Sequence, residues 1–138
     1  MLWLNPDYVT LGSERLDHVS SITIDRSPHK SALEWSDLGP HLAFADVPEQ
    51  RIDIRISRTL TDSASIDLKP GDQVTLVARR AATASATDIE RLSASVVILS
   101  IQYTLSRTRG ATQHIHALAI SSDGASDPIS LSTQASET

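Results

Sequence analysis

The residues of this chain best suited to chemistry are two histidines, His114 and His116, which stand one residue apart in a β-rich stretch. Successive side chains of a strand alternate between its two faces, so both imidazoles lie on one face and form half of a metal site. A third ligand would have to come from Asp123 or Asp127, and no spacing enforces that. Histidines at a surface or an interface are therefore the simpler interpretation.

The acidic segment 123–127, Asp-Gly-Ala-Ser-Asp, is only superficially like a calcium-binding loop. It lacks the alternating oxygen ligands and the bidentate glutamate of an EF-hand. Two consecutive Asx turns, in which an aspartate accepts hydrogen bonds from backbone amides that follow it, explain these residue types better.

No arrangement typical of an enzyme stands in the sequence. None of the serines lies in a Gly-x-Ser-x-Gly elbow, and the five glycines form no phosphate-binding loop. Glu34, Asp37 and Asp46 are not brought to one face by their spacing. We therefore expect no catalytic residue, no metal and no cofactor.

Charged residues have two interpretations, a solvated face or contacts between subunits. On the strand predicted for 50–59, opposite charges alternate along the outward face, and such a face selects partner and register when two chains pair. The candidates for subunit contacts lie on this strand, in a turn near 107–110 and in the acidic segment. They are Arg51, Asp53, Arg55, Arg107, Arg109, Asp123 and Asp127.

The composition limits the function classes. At 138 residues the chain is one domain, predicted for 1–130, with a polar tail at 131–138. Its formal net charge of −5 disfavours general binding of nucleic acid. There is no cysteine, and neither a secretory signal nor an apolar run of membrane-spanning length is recognisable. We expect a soluble protein made in a cytoplasm.

A long β-hairpin over 93–121 is the main element that the sequence predicts. Two registers suit it. A three-residue loop, 108–110, with Gly110 left-handed, sets Tyr103 beside Ile115 and Ile98 beside Ile120. A two-residue loop, 109–110, pairs Tyr103 with His116. The first separates apolar from polar residues better and is preferred.

Other elements follow from alternation and turn residues. Strands are predicted at 8–11, 18–26, 50–59 and 73–79, a type II turn at 69–72, loops at 41–49 and 80–92, and a helix at 32–38 after the capping box Ser31-x-x-Glu34. The fold class is mainly β, an antiparallel β-sandwich or barrel with a long hairpin and one short α-helix. The predicted core consists of Ile22, Ile24, Trp35, Ile52, Ile54, Ile56, Val97, Leu99, Ile101 and Tyr103.

Three stretches together resemble the small tail tube proteins of tailed bacteriophages and related phage-like particles. They are strand 18–26 with the helix around Trp35, strand 50–58, and the long hairpin that closes on 121–128. The resemblance implies a β-sandwich or barrel core and no catalytic residues. It further implies hexameric rings whose long strands join into an inner β-barrel, and rings that stack through loops and termini into a tube for DNA.

The acidic composition agrees with this resemblance, because a conduit for DNA should repel phosphate rather than bind it. One group of residues argues against a uniformly acidic bore. It consists of Arg51, Arg55, Arg58, Arg79, Arg80, Arg107 and Arg109.

The expected function is a structural virion protein of a phage tail, made in the bacterial host cytoplasm. Its partners are other copies of itself, other tail proteins, and DNA that passes without specific binding, with no membrane partner. The hairpin tip, 107–111, and both termini are expected at subunit contacts. The alternatives are a baseplate ring or tail-completion protein on the same fold, or a β-sandwich module for glycan or peptide, for which the aromatic residues are too scattered.

Overall fold

Nine antiparallel strands build the protein in a computed structural model that describes residues 2–4, 6–60, 67–81, 88–108 and 110–135. In chain order the strands are β1 (Leu2–Leu4), β2 (Tyr8–Leu11), β3 (Glu14–Arg15), β4 (Val19–Trp35), β5 (Leu42–Leu60), β6 (Gln73–Ala81), β7 (Asp88–Ser106), β8 (Gly110–Ala119) and β9 (Ile129–Ala135). They form one sheet, in which eight strands follow the order β1-β4-β5-β8-β7-β6-β2-β3 and β9 pairs with β7. The predicted mainly β, antiparallel class is confirmed.

β9 pairs with the first part of β7, on the edge that β8 occupies further along the same strand. Residues from 129 to 135 therefore belong to the sheet, whereas the sequence predicted a polar tail from 131. Ile129 is buried at the start of this strand. Residues 136–138 of the predicted tail lie outside the described residues.

One hydrophobic core holds the sheet together. It takes side chains from every strand except β3, and it includes strands from both ends of the sheet order. The sheet therefore curves around this core, although it does not close. Trp3 of the short β1 is 1% exposed. Trp3 was not among the residues predicted for the core, because a strand of three residues is too short to show a period.

Apolar and polar residues alternate most regularly on the first half of β4 and the second half of β5, and the isoleucines there lie in the core as predicted. The isoleucines at 22, 24, 52, 54 and 56 are all buried. They meet in register, Ile22 opposite Ile56 and Ile24 opposite Ile54. Branched side chains at alternate positions suit a pleated surface with one buried face.

The predicted helix at 32–38 is wrong. Residues to Trp35 continue β4, and Leu42 and Phe44 lie exposed on β5 rather than inward in a loop. A capping box stabilises a helix by only about 1 kcal/mol, whereas pairing with β5 satisfies the backbone all the way to the turn at 36–41. Pro28 does not end β4 as predicted, because this part of the strand is an edge where a missing N–H is tolerated.

Both predicted registers of the β7–β8 hairpin are wrong, although the hairpin itself is present. Ser106 pairs with Gly110, so the loop is 107–109, and Tyr103 lies opposite Gln113. Gly110 is left-handed, with φ 73°, as the first register required. Since the shift from that register is two residues here, side chains keep their predicted faces.

An irregularity between Ile98 and Ser100 explains why the predicted core of β7 is partly wrong. Before it, the even positions point inward, and the buried residues there are Leu92, Ala94, Val96 and Ile98. Val97 and Leu99 are only half-buried, and Ile101, beyond the irregularity, packs against the core from its edge. One inserted residue reverses the inward face of a strand, which a strict period of two cannot anticipate.

The turn at 69–72 forms as predicted. The Asp72 amide donates to the Lys69 carbonyl at 3.0 Å, and Gly71 has φ 96°. This combination defines a type II turn, which needs glycine at its third position. The loop predicted for 80–92 is wrong at both ends, where β6 and β7 are paired, and its middle, 82–87, lies outside the described residues.

Candidate assembly interface

The largest exposed feature is the distal part of the β4–β5 hairpin, residues 27–50, which we call the arm. Every residue from 28 to 50 is exposed, because neither strand packs on the core there. Of the eleven large apolar side chains that the described residues leave exposed, six belong to the arm. They are Leu33, Trp35, Leu38, Leu42, Phe44 and Val47.

Several of these apolar side chains share a face of the arm. Leu33 pairs with Ala45 and Trp35 pairs with Leu42, and residues two apart on a strand point the same way. Trp35, predicted for the core, is 59% exposed. The correction has a physical cause, since without the helix nothing brings Trp35 back onto the sheet.

The arm is also a ribbon with two open edges. Among the described residues, β4 beyond Thr23 pairs only with β5, and β5 before Asp53 pairs only with β4. An isolated two-stranded ribbon is marginally stable in water, and its open edges invite another strand. The arm therefore has the backbone and the side chains of a contact surface.

The opposite end of the molecule exposes a second apolar patch. Leu105 is 84% exposed. Tyr103, predicted for the core, is 54% exposed, because the hairpin extends beyond the core residues of β7. Arg107 follows in the loop of the β7–β8 hairpin. This end lies beside Leu60, at the far end of β5 from the arm. Arg107, a predicted contact residue, therefore lies in an exposed loop, and Arg109 lies outside the described residues.

A buried polar row crosses three strands just inside that end. Arg58 on β5 is 4% exposed, and its Nε donates to Gln113 Oε1 at 2.5 Å. Gln113 Nε2 in turn donates to the Tyr103 hydroxyl at 3.0 Å. Arg58 Nη2 is buried, and no acceptor among the described residues meets it. Burial lowers the pKa of this guanidinium, although arginine stays protonated in proteins.

Arg58, grouped in the sequence with Arg51 and Arg55, does not share their outward face, because its side chain is buried. Its even number continues the inward series of Ile52, Ile54 and Ile56, which was the available signal. The other arginines thought to form one group are also dispersed. Arg79 stacks on Tyr8 with its guanidinium 4.2 Å from the ring centroid.

The outward face of β5 and β8 carries a network of paired charges. Arg51 donates to both carboxylate oxygens of Asp53, and His116 Nε2 lies 2.7 Å from Asp53 Oδ1. Arg55 pairs with Asp25 across to β4 at 2.6 Å. Three predicted contact residues, Arg51, Asp53 and Arg55, are thus brought together on one face, as the alternation of the strand required.

Asp53 is buried in spite of facing outward, which the sequence did not reveal. Burial by itself raises the pKa of its carboxyl, but the hydrogen bonds from Arg51 and His116 outweigh that and leave the pKa below its usual value. Asp53 is therefore an ionised carboxylate that holds two neighbouring strands together.

The two histidines lie on one face as predicted, but no metal site is evident. His114 Nδ1 lies 3.0 Å from the Ser57 hydroxyl, and His116 meets Asp53. No group of three potential ligands occurs among the described residues. Each histidine is instead joined to β5, which supports the pairing of β5 with β8.

The acidic segment forms the two predicted Asx turns. Asp123 Oδ1 accepts from the amides of Ala125 and Ser126, and Asp127 Oδ1 accepts from Ile129 N at 3.0 Å. Hydrogen bonds from Ser126 and Ala125 lower the pKa of Asp123 strongly, and the bond from Ile129 lowers that of Asp127.

Asp127 also ties the acidic segment to the root of the arm. Its Oδ2 lies 3.0 Å from Arg26 Nη2 on β4, directly before the arm begins. The two aspartates predicted as contact residues are therefore engaged within their own chain, and they fix the loop beside the arm.

Neither a comparison with models of known protein families nor a comparison with curated proteins finds a match to this chain. The described residues contain no helix with the length and apolar character that a membrane crossing requires.

Proposed function

We propose that this protein is a structural subunit that assembles with itself into rings, and that the rings stack into a tube of the kind found in phage tails. The arm is the observation that carries this proposal. The arm spans more than twenty residues, exposes six large apolar side chains and does not pack on its own core, and such a ribbon gains stability when another surface covers it.

The edges of the sheet support a ring. On β7, the stretch 99–105 pairs with β8 on one side and with no described residue on the other. Pairing of such edges between neighbours satisfies their backbone groups and joins curved sheets around a common axis. A sandwich or barrel, which the single chain leaves open, is then completed by assembly, and six subunits per ring is the number that the resemblance implies.

The charges agree with a passage for DNA. The chain is acidic overall, and the arginines on the outward face of β5 are paired with Asp53 and Asp25. Paired charges form no unneutralised basic strip, so phosphate gains little from contact. The same subunit would act in a virion, with other tail proteins at the two ends of the tube.

The test is negative-stain electron microscopy of the purified protein with light scattering over a concentration series. Tubes of constant diameter support the proposal, and single rings favour a baseplate or tail-completion position. An arm-deletion variant, in which an Asn-Gly turn joins Pro28 directly to its partner Gln50, is the matched comparison. It should remain folded and fail to form tubes. A protein that stays monomeric throughout, with the arm as without it, contradicts the proposal.

A further inference from the structure

The buried guanidinium of Arg58 is not explained by the fold of the single chain. A buried charge without a counter-charge is strongly unfavourable, and Arg58 Nη2 has no acceptor among the described residues. Glu14 and Asp17 act on Arg58 from a distance, but no ion pair joins them to it, and Asp17 lies 3.5 Å from Arg15 instead.

The surroundings of Arg58 have the form of a binding site rather than of a packing fault. Gln113, fully buried, orients the guanidinium through its Nε and leaves one terminal nitrogen for a ligand. On the solvent side of Gln113, Tyr103 accepts a hydrogen bond from Gln113 Nε2 and is more than half exposed. A planar guanidinium held in this way suits a carboxylate.

The arm supplies carboxylates of the required kind. Residues 28–50 carry four of them and a single lysine, so the arm holds more than half of the net negative charge of the chain. Glu34 and Asp37, at its tip, are exposed and make no ion pair in the described structure. The exposed apolar side chains of the arm could pack against Tyr103 and Leu105, which are exposed at the other end of the molecule.

The arm cannot reach Arg58 of its own chain. Leu42 begins β5 at the arm and Arg58 lies near the other end of the same strand, sixteen residues away. At about 3.3 Å per residue they are roughly 50 Å apart along the strand. A contact between the two ends therefore joins two copies.

We propose that Arg58, Gln113 and Tyr103 form a carboxylate-binding site that receives the acidic tip of the arm of a second copy of this chain. This inference rests on the proposed function, because it names the surface through which one subunit stacks on the next. The contact is head-to-tail, so that every copy inserts its arm into one neighbour and binds the arm of another neighbour.

The first test replaces each side of the contact. Arg58→Met removes the charge at similar length, and Glu34→Gln with Asp37→Asn neutralises the arm tip. Each variant should fold, and each should lose tubes in electron microscopy. Arg58→Met should melt somewhat lower than the wild type, because the buried Gln113 Oε1 loses its donor. Arg91→Met, which removes an exposed arginine of β7, is the control and should assemble normally.

The second test mixes the two assembly-defective variants. The Arg58→Met protein keeps its arm and the neutralised-arm protein keeps its receiving site, so one contact can form between them. Sedimentation should then show paired units and nothing longer. Normal tubes from either variant alone, or no pairing on mixing, overturns the inference.

Small anions distinguish the source of the ligand. Acetate or phosphate is added to the wild type and to Arg58→Met, and the melting temperature is measured. If the anion stabilises only the wild type, and mixing the two variants restores no pairing, then the site binds a free anion and the docking proposal is wrong. Failure of the proposed function is recognised separately, because the wild type itself then forms neither rings nor tubes.

Discussion

One pair of substitutions separates the two roles that apolar residues have in this chain. The protein contains two tryptophans, Trp3 and Trp35. Trp3 is 1% exposed and lies against the guanidinium of Arg80, whereas Trp35 on the arm is 59% exposed. We predict that Trp3→Ala destabilises the subunit, and that Trp35→Ala leaves the subunit stable but weakens its assembly.

The structure sets the magnitudes. Removal of a buried tryptophan costs about 3–5 kcal/mol, and the lost cation–π contact adds about 1 kcal/mol, a large part of the roughly 5–15 kcal/mol that stabilises a domain. The exposed part of Trp35 amounts to roughly 150 Å². If a neighbour covers it, its burial contributes about 3–4 kcal/mol per contact at 25 cal/mol per Å², so Trp35→Ala should weaken association by about two orders of magnitude or more.

Urea unfolding of the isolated subunit measures the first quantity, and the concentration at which tubes appear measures the second. Tryptophan fluorescence adds a direct readout, since Trp35 should shift its emission to the blue on assembly while Trp3 does not change. A Trp35→Ala protein that forms tubes at the concentration of the wild type, or a red emission that assembly leaves unaltered, refutes the assignment of the arm as a contact surface.

Three further predictions concern stability. Deletion from Leu131 onward, which the sequence alone assigned to a polar tail at a subunit contact, should lower the melting temperature, because β9 pairs with β7 there. The lowered pKa of the Asp53 carboxyl stabilises the folded state above the ordinary value near 3.8, and this stability is lost as the pH falls through the lowered pKa. Asp53→Asn should therefore make the free energy of unfolding depend less on pH in the acid range. Gly12→Ala should cost about 1–2 kcal/mol in urea unfolding, since Gly12 has φ 62° and a Cβ would meet Val74 at 3.3 Å, whereas Gly39→Ala should be nearly neutral.

The sequence predicted best where a single period ran without interruption. Alternation on β4 and β5 located the buried isoleucines and the charged outward face, and Pro70-Gly71 located a type II turn, because both signals are local. The face of His114 and His116 was also predictable, since an error of two residues in register leaves a face unchanged.

The rest depended on contacts that no local signal encodes. The helix at 32–38 had a capping signal, but the partner strand beyond the turn decided the outcome. The irregularity after Ile98 reversed the inward face, so Val97 and Leu99 were misassigned. Arg58 was predictable in orientation from its even number, yet its missing partner is visible only when all three strands of the row are in place.

The unsatisfied surfaces of the subunit lie in two different directions, and this decides the form of the assembly that they favour. The open backbone edges lie at the sides of the sheet, and pairing between neighbours at these edges would arrange subunits around an axis, as in a ring. The acidic arm and the Arg58 site lie at opposite ends of β5, so a contact between the arm of one copy and the Arg58 site of the next would stack subunits along an axis. Because these ends differ from each other, their contact does not close after two copies and repeats indefinitely. Sideways closure together with lengthwise repetition generates a tube, whereas either alone generates a ring or a thin filament.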